Sequence, residues 1–508
     1  MTNASFDFGL PDNWANAALG LVCELINGDR GKNYPGRKML SKDGIPFVNA
    51  GDLQNGEIST ERLGYVPSEI FDLLRSGKFG LSDILYCIRG SLGKVAFNSQ
   101  LPVGGIASSL IIVRPNPQIS AQYIYYYLSS PLARRAIQEF DNGTAQPNLS
   151  GADLAKFQVP LPGVRTQQKI VAKIEELFSE LDKGVESLTA AREQLKAYRQ
   201  SVLKAAFEGK LTAHWRKQHT ELPDAEALRE SLSRARSAQA FELEKRRRAR
   251  KPAPVTPLTA EVLEILPGIP SEWVWEKLGW LTCGVEYGTS AKSSKSGRVP
   301  VVRMGNIQNG VIDWDNLVFT DDVAEIAKYS LCSGDVLFNR TNSPELVGKT
   351  AIYRGERSAI YAGYLIRINH NEAIVDGDYL NFFLNSHSAR SYGNSVKTDG
   401  VNQSNINGEK LQSYPFPYCS LAEQQEIVRL LQGKLSLCDN LFVDVESQLS
   451  RSDALRQAIL KRAFSGQLVP QDDRDEPASV LLKRIRAEQD KGNKKKPRSR
   501  NNRRKEAA

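Results

Sequence analysis

Gln167-Gln168-Lys169-Ile170-Val171 opens a stretch that closes on Ala206-Phe207-Glu208-Gly209-Lys210-Leu211. The same order returns as Gln424-Gln425-Glu426-Ile427-Val428 and Ala463-Phe464-Ser465-Gly466-Gln467-Leu468. The offset is 257 residues at both ends, so the two segments have equal length. Within the first, Ile170, Ile174, Leu177, Leu181, Gly184, Leu188, Ala191, Leu195, Tyr198, Val202 and Ala205 alternate steps of four and three. The second repeats the stripe with Val428, Leu431, Leu435, Cys438, Phe442, Val445, Leu449, Ser452 and Ile459, and Arg456 is the departure. Apolar residues every 3.5 positions make a seam between supercoiled helices. Pro162 and Pro417 precede the segments, and Gly209 and Gly466 lie near their ends, as helix boundaries require. An arm of about 44 residues spans roughly 65 Å, against about 11–12 residues for an ordinary globular helix.

Working outward, the region before each arm is also written twice. Pro11-x-x-Trp14 with Leu19-Gly20 returns as Pro270-x-x-Trp273 with Leu278-Gly279. Ile45-Pro46-Phe47-Val48 and Gly51-Asp52-Leu53-Gln54-Asn55-Gly56 return as Val299-Pro300-Val301-Val302 and Gly305-Asn306-Ile307-Gln308-Asn309-Gly310. Asp83-Ile84-Leu85 with Gly93-Lys94 matches Asp335-Val336-Leu337 with Gly348-Lys349. Here the offset wanders between 252 and 259, so these heads have accepted insertions that the arms have not. Short apolar runs at 84–88, 110–113, 336–338 and 365–368 between Gly, Asn and Asp read as strands, and stretches near 123–137 and 379–390 read as helical.

The expected architecture is a mixed α/β (α+β) protein with an internal pseudo-two-fold repeat, two similar heads joined by two long antiparallel coiled-coil helices. Its parts are a first head, 1–162, a first arm, 163–211, and a charged helical linker, 212–268. A second head, 269–417, a second arm, 418–468, and a C-terminal helix with basic tail, 469–508, follow. The linker contains the helical stretch Ala225–Lys245 and the run Arg246-Arg247-Arg248-Ala249-Arg250-Lys251, read as a return connection with a solvated basic face.

Composition bounds the function. The chain has 508 residues, 41% hydrophobic and 25% charged, with no apolar run long enough for a membrane span and no signal-peptide pattern at Met1-Thr2-Asn3-Ala4. Cys23, Cys87, Cys283, Cys332, Cys419 and Cys438 are scattered without a CxxC pair, and read as small buried hydrophobes of a reducing, cytoplasmic compartment. The net charge of +9 points to nucleic acid less directly than it looks. Residues 491–508 hold nine Lys and Arg against Glu506 alone, so the tail carries +8 and the rest is nearly neutral.

This duplicated plan resembles the specificity subunits of type I restriction-modification systems over nearly the whole chain. The resemblance rests on the Pro-x-x-Trp openings, the Gly-Asp/Asn-Leu/Ile-Gln-Asn-Gly turns and the Gly-Lys pairs. It rests also on Gln146-x-Asn148-Leu149 with Gln403-x-Asn405-Ile406, on Gln-Gln-x-Ile-Val, and on Ala-Phe-x-Gly-x-Leu. Each is weak alone; twice in one order they are specific. The resemblance implies that each head is a target recognition domain for one half of a bipartite double-stranded DNA target. The arms would hold the heads apart and dock two modification subunits, which methylate adenine with S-adenosylmethionine. Two restriction/translocase subunits would use ATP and Mg, leaving no cofactor on this chain.

The residues themselves offer no catalytic set. Ser343-Pro344-Glu345-Leu346-Val347-Gly348-Lys349-Thr350 misses a phosphate loop by one residue, with Ser where its first Gly belongs. Asn342-Ser343-Pro344-Glu345 lacks the aromatic that would stack on a flipped base. His214, His219, His370 and His387 share no repeat positions and form no metal-ligand spacing. The alternatives are a coiled-coil adaptor that binds only protein, disfavoured by large heads rich in polar loops, and a stand-alone methyltransferase or nuclease, disfavoured by the missing motifs.

Base edges are read by Arg or Lys at guanine and Asn or Gln at adenine. Candidate readers lie at comparable places in both heads. They are Arg89, Ser91 and Lys94 with Arg340, Asn342 and Lys349; Thr144, Gln146 and Asn148 with Asn402, Gln403 and Asn405; and Asn49, Gln54 and Asn55 with Arg303, Gln308 and Asn309. For Asn55-Gly56 and Asn309-Gly310 the preferred reading is a turn. Positions identical in both heads cannot distinguish two half-sites, so they are expected to position the backbone, while differing ones such as Thr144 and Val401 choose bases. The expected target is two unlike half-sites about one DNA turn apart, roughly 34–36 Å.

Overall fold

In a computed structural model the equal segments are single helices, Val164–Phe207 and Leu421–Phe464, of 44 residues each. The structure describes residues 9–31, 34–36, 39–140, 148–245, 255–401, 403–472 and 474–494. The chain divides into unit 1, Met1–Leu188 with Glu446–Ala508, and unit 2, Thr189–Val445. Each long helix contributes one half to each unit. In unit 1, Ile170 and Ile174 of the first arm share a core with Ile459, Leu460, Ala463 and Phe464 of the second. In unit 2, Val202, Leu203, Ala206 and Phe207 share one with Ile427, Val428, Leu431 and Leu435. Early turns of one arm meet late turns of the other in both units, so the arms run antiparallel. Two expected seam positions, Gly184 and Tyr198, are instead exposed. A two-helix seam with one neighbour per residue covers its apolar stripe only in part.

The head of unit 1 is built on a four-stranded antiparallel sheet ordered Cys23–Asn27, Leu110–Pro115, Ile84–Cys87, Val95–Phe97. Its central strands are apolar at nearly every position because both faces are covered. Ile84, Tyr86, Ile111 and Val113 face the core shared with the arms. Leu85, Cys87, Leu110 and Ile112 face a second core. A second sheet, ordered Gly64–Val66, Ile45–Val48, Val103–Ile106, Lys78–Gly80, joins Val103–Ile106 to Ile45–Val48 in parallel. Unit 2 repeats the first sheet as Thr282–Tyr287, Leu365–His370, Val336–Asn339, Thr350–Ile352, and shortens the second to three strands. The stretch near 123–137 is two helices, Ala121–Ser129 and Pro131–Phe140, divided at Pro131, and near 379–390 they are Gly377–Leu384 and His387–Val396.

The repeated motifs weld heads to arms. The Gln167 amide, fully buried, accepts from the Ser120 backbone N–H and donates to the Pro162 carbonyl, both at 3.0 Å. Gln424 does the same with Asp376 N–H (2.9 Å) and the Cys419 carbonyl (2.9 Å). Phe464 packs edge-on against Tyr123 and Tyr127, at 5.1 and 5.7 Å between ring centres, and Phe207 against Tyr379 and Phe383, at 5.2 and 5.3 Å. Truncating a buried Phe of this kind costs about 3–5 kcal/mol. Gly466 and Gly209 then turn the chain with φ of +75° and +68°, and a Cβ there would strike the ring of Pro11 or Pro270 at 2.6 or 2.4 Å. Each arm therefore ends on the Pro-x-x-Trp opening of the head that did not precede it.

The linker helix Ala225–Lys245 and the C-terminal helix Ala478–Lys494 are a further repeat pair, offset by 253. Leu228 and Leu232 are buried in unit 2, as Leu481 and Ile485 are in unit 1. Arg236 donates to the Gly279 carbonyl (2.8 Å), and Gln489 to that of Leu21 (2.9 Å). The basic run 246–251 and the tail from 495 lie outside the described residues. Cys23, Cys87, Cys419 and Cys438 are buried as expected, whereas Cys332 is exposed, at a turn after Leu331.

Candidate nucleic-acid interface

In unit 1 the strand Ile84–Cys87 leads into a tight turn closed by Cys87 N–H to the Lys94 carbonyl (2.8 Å) and Gly93 N–H to the Cys87 carbonyl (3.1 Å). Gly90 and Gly93, both at φ +78°, let the chain reverse direction with Arg89, Ser91 and Lys94 exposed. Asn148 comes alongside as a bridge partner of Arg89, and its Oδ1 accepts from Arg89 Nε at 3.2 Å. Residues 59 positions apart are thereby joined. With Nε engaged, the guanidinium is oriented while its terminal nitrogens keep the fork that suits guanine O6 and N7. Thr144 and Gln146 lie outside the described residues.

Unit 2 builds a broader edge. Thr341–Asn342 pairs with Ser404–Asn405, which pairs with Thr398–Asp399. Asn405 Nδ2 donates to Thr341 Oγ1 at 2.7 Å. Gly400 N–H bonds the Gln403 carbonyl at 2.8 Å, leaving Gln403 exposed and Val401 fully so. Asn402 lies outside the described residues.

Backbone bonding corrects the pairing of the two turns. Leu149 N–H meets the Ile88 carbonyl, and Ile406 N–H meets that of Arg340. Arg340 thus stands where head 1 has buried Ile88, and Thr341 is the true mate of Arg89. The side chain of Arg340 behaves accordingly. It lies over the Tyr287 ring at 4.9 Å, donates to the Gly363 carbonyl at 3.2 Å, and its buried Nε has no partner among the described residues. Tyr287 is held in turn by Gly408 N–H on its hydroxyl (2.9 Å). Neither Thr341 nor Tyr287 is marked by sequence, since insertions between 342 and 348 hide the register; Asn405 at the constant offset from Asn148 is the clue that recovers it.

The third cluster resolves into structure. Asn55 and Asn309 both have φ of +50°, with Gly56 and Gly310 at +83° and +85°, which makes hairpin turns of the two-residue left-handed type. Gln54 Nε2 bonds its own loop at Gly51, and Asn49 Oδ1 accepts from Gly51 N–H. Arg303, though exposed, donates to the Asn316 carbonyl at 2.8 Å. Lys349 Nζ donates to Gln308 Oε1 at 3.0 Å. Burial, and then the charge of Arg390, hold its ammonium below the usual lysine range. Among the described residues no group of three or more His, Cys, Asp and Glu is placed to hold a metal, and no helix is long and apolar enough to cross a membrane.

The chain matches the family of the type I restriction modification DNA specificity domain over residues 11–189 and 284–438. It is 27% identical over 500 residues to the type I restriction enzyme EcoKI specificity subunit of Escherichia coli (strain K12), covering 94% of this chain and 96% of that one. It is 25% identical over 500 residues to the StySPI specificity subunit of Salmonella potsdam, with the same two coverages, 94% and 96%. Among solved structures, a chain from a study of assembly and conformational transition in the type I R-M system superposes with a TM-score of 0.63 at 18% identity. That superposition covers 90% of this chain and 99% of the other, and it supports the two-headed fold.

Proposed function

The chain belongs to the type I restriction-modification DNA specificity family, and from that membership we propose that it reads a bipartite double-stranded DNA target, one half with each head. As a DNA-sequence specificity subunit, it directs chemistry carried out elsewhere. The observation that carries the bipartite reading is the pair of heads with one fold and polar edges that differ at one paired position, Arg89 beside Asn148 in unit 1 where Thr341 stands beside Asn405 in unit 2. Like frames with unlike edges suit unlike half-sites.

The arms act as a ruler between the half-sites and as a dock for two modification subunits, with two restriction/translocase subunits completing the nuclease form. Docking is supported by apolar side chains that the arms leave uncovered, Leu437, Leu441 and Val443 in unit 2 and Leu455 in unit 1, 44–65% exposed. The chain catalyses nothing itself and works in the cytoplasm. S-adenosylmethionine belongs to the modification subunits, and ATP with Mg to the translocases. Mapping methylated adenines in a genome expressing the chain with its modification partner tests the reading. Two unlike half-sites with a constant spacer are expected; one continuous or palindromic motif overturns it.

A further inference from the structure

Arg456 interrupts the apolar stripe of the second arm, and the reason lies in what surrounds it. A cavity of about 450 Å³ in unit 1 is lined by Lys94, Arg134 and Arg456 together with Asn55, Gly93 and Ser129, and by no carboxylate. Lys94 comes from the turn that carries Arg89, and Arg134 from the helix Pro131–Phe140. Each cation has a repeat mate. Lys349 mirrors Lys94, Arg390 mirrors Arg134 one residue after the buried Ala389 and Ala133, and Arg199 mirrors Arg456 at the constant offset of 257. The first turn of each of the two short helices is fixed in the same way, by Ser130 and Ser386 accepting from Ala133 and Ala389 N–H.

We propose that Lys94, Arg134 and Arg456 in unit 1, and Lys349, Arg390 and Arg199 in unit 2, form two equivalent clamps for a backbone phosphate of the DNA that the heads read. This inference rests on the DNA-reading role of the heads and gives the arms a share in it. Three like charges gathered twice at matching positions have no structural use for one another. In unit 2 partial desolvation, and then the charge of Arg199, hold Arg390 below its usual range, and burial, and then the charge of Arg390, do the same to Lys349. Asp182 and Asp439 neutralise part of the charge of Arg456 and Arg199. Among the described residues, Lys94, Arg134 and Arg390 have no carboxylate partner, so an anion from outside completes the set.

A DNA phosphate suits the site better than an acidic side chain of a partner protein for two reasons. Lys94 and Lys349 close the same turns that present Arg89 and Thr341, so an anion held there lies beside the bases being read. The cations are also of one type in both units, and contacts that do not differ between half-sites position the backbone without choosing sequence.

The test is the salt dependence of DNA binding by the full chain with its modification partner, comparing the natural form with Arg134→Gln/Arg390→Gln. Both residues lie on the surface, and Arg134→Lys/Arg390→Lys serves as the charge-keeping control. The Gln form should bind target and unrelated duplexes more weakly by the same factor. Its log–log salt slope should flatten by about one unit for each phosphate no longer held. Between 50 and 200 mM salt, each such phosphate accounts for about threefold of the salt-dependent weakening. An unchanged slope in a form that still discriminates its target refutes the clamps alone. Weakening confined to the cognate duplex, or failure of partner assembly without a slope change, refutes them too. Failure of the natural form to discriminate any target refutes instead the reading on which the clamps rest.

Discussion

Arg456 of the second arm donates to Asp182 of the first, and its guanidinium also lies over the Phe178 ring at 5.0 Å. The relationship is repeated with the helices exchanged, Arg199 of the first arm donating to Asp439 of the second at 2.5 Å. Both carboxylates are 61% exposed, so water screens the attraction. Asp182→Asn and Asp439→Asn should each lower stability by about 0.5–1 kcal/mol. The pairs share no partner, and the double variant should lose about the sum, as read from denaturant midpoints. A loss above the sum by more than about 0.5 kcal/mol would show the two pairs to be coupled.

Glu423 differs in kind. It is 2% exposed and accepts from Trp273 Nε1 (2.9 Å), Thr212 Oγ1 (2.7 Å) and Arg216. Glu423→Ala takes the buried carboxylate from Arg216, which keeps only the half-exposed Glu272 at 4.0 Å, and should cost about 3–5 kcal/mol. Its mate in unit 1, Thr166, holds no such set, and Thr166→Ala should cost far less. Amide hydrogen exchange by mass spectrometry should show faster opening across unit 2 while unit 1 is spared; equal opening of both units is the contrary result.

Arg89 and Arg340, alike in sequence, should separate in experiment. Arg89→Ala removes an exposed side chain and should weaken specific binding by about 1–3 kcal/mol, relaxing the first half-site, with thermal stability unchanged. Arg340→Ala removes the cation over Tyr287 and should lower the melting temperature as well as the discrimination of the second half-site. Equal stability for the two variants would count against the packed role given to Arg340.

Deleting one heptad from each arm, residues 185–191 and 442–448, keeps the seam in phase and shortens each helix by about 10 Å. The methylated motif should then have a spacer shorter by about three base pairs, or activity should vanish. An active protein with the old spacer would end the ruler proposal.

His370 gives a pH dependence. Burial holds it below the usual histidine range, against the opposing pull of Glu372, Asp335 and Asp376. The unfolded chain therefore binds a proton at higher pH than the native one. Its contribution to stability is whole above the ordinary histidine value of about 6.5 and falls as pH drops below it. Melting curves from about pH 7.5 to 5 should show a decline that His370→Gln reduces; identical declines would assign the effect to other groups.

Much of the fold is legible because helical seams and buried strands are periodic. Val164–Phe207 and Leu421–Phe464 follow from the 3.5-residue stripe, and the strand Leu110–Pro115 from an apolar run covered on both faces. The pairing of the linker and C-terminal helices is hidden, since Leu228 and Leu232 match Leu481 and Ile485 at an offset that breaks from 257. At the site, Arg89 and Asn148 are legible as residue types, but their contact is not. The mispairing of Arg89 with Arg340 shows why: an insertion slides residue types along a turn, and only ladder hydrogen bonds restore the register.

By itself, the sequence determined that one unit is written twice, that equal helices follow each copy, and that the heads carry polar turns at matching places. Those properties belong to order and spacing along the chain. Only the tertiary structure decided that each arm ends on the opposite head, that Ile88 and Arg340 occupy one position, and that Arg456 meets Lys94 and Arg134 around a common cavity. Contacts between residues hundreds of positions apart depend on how helices cross and strands pair, and no local pattern of residues encodes that distance.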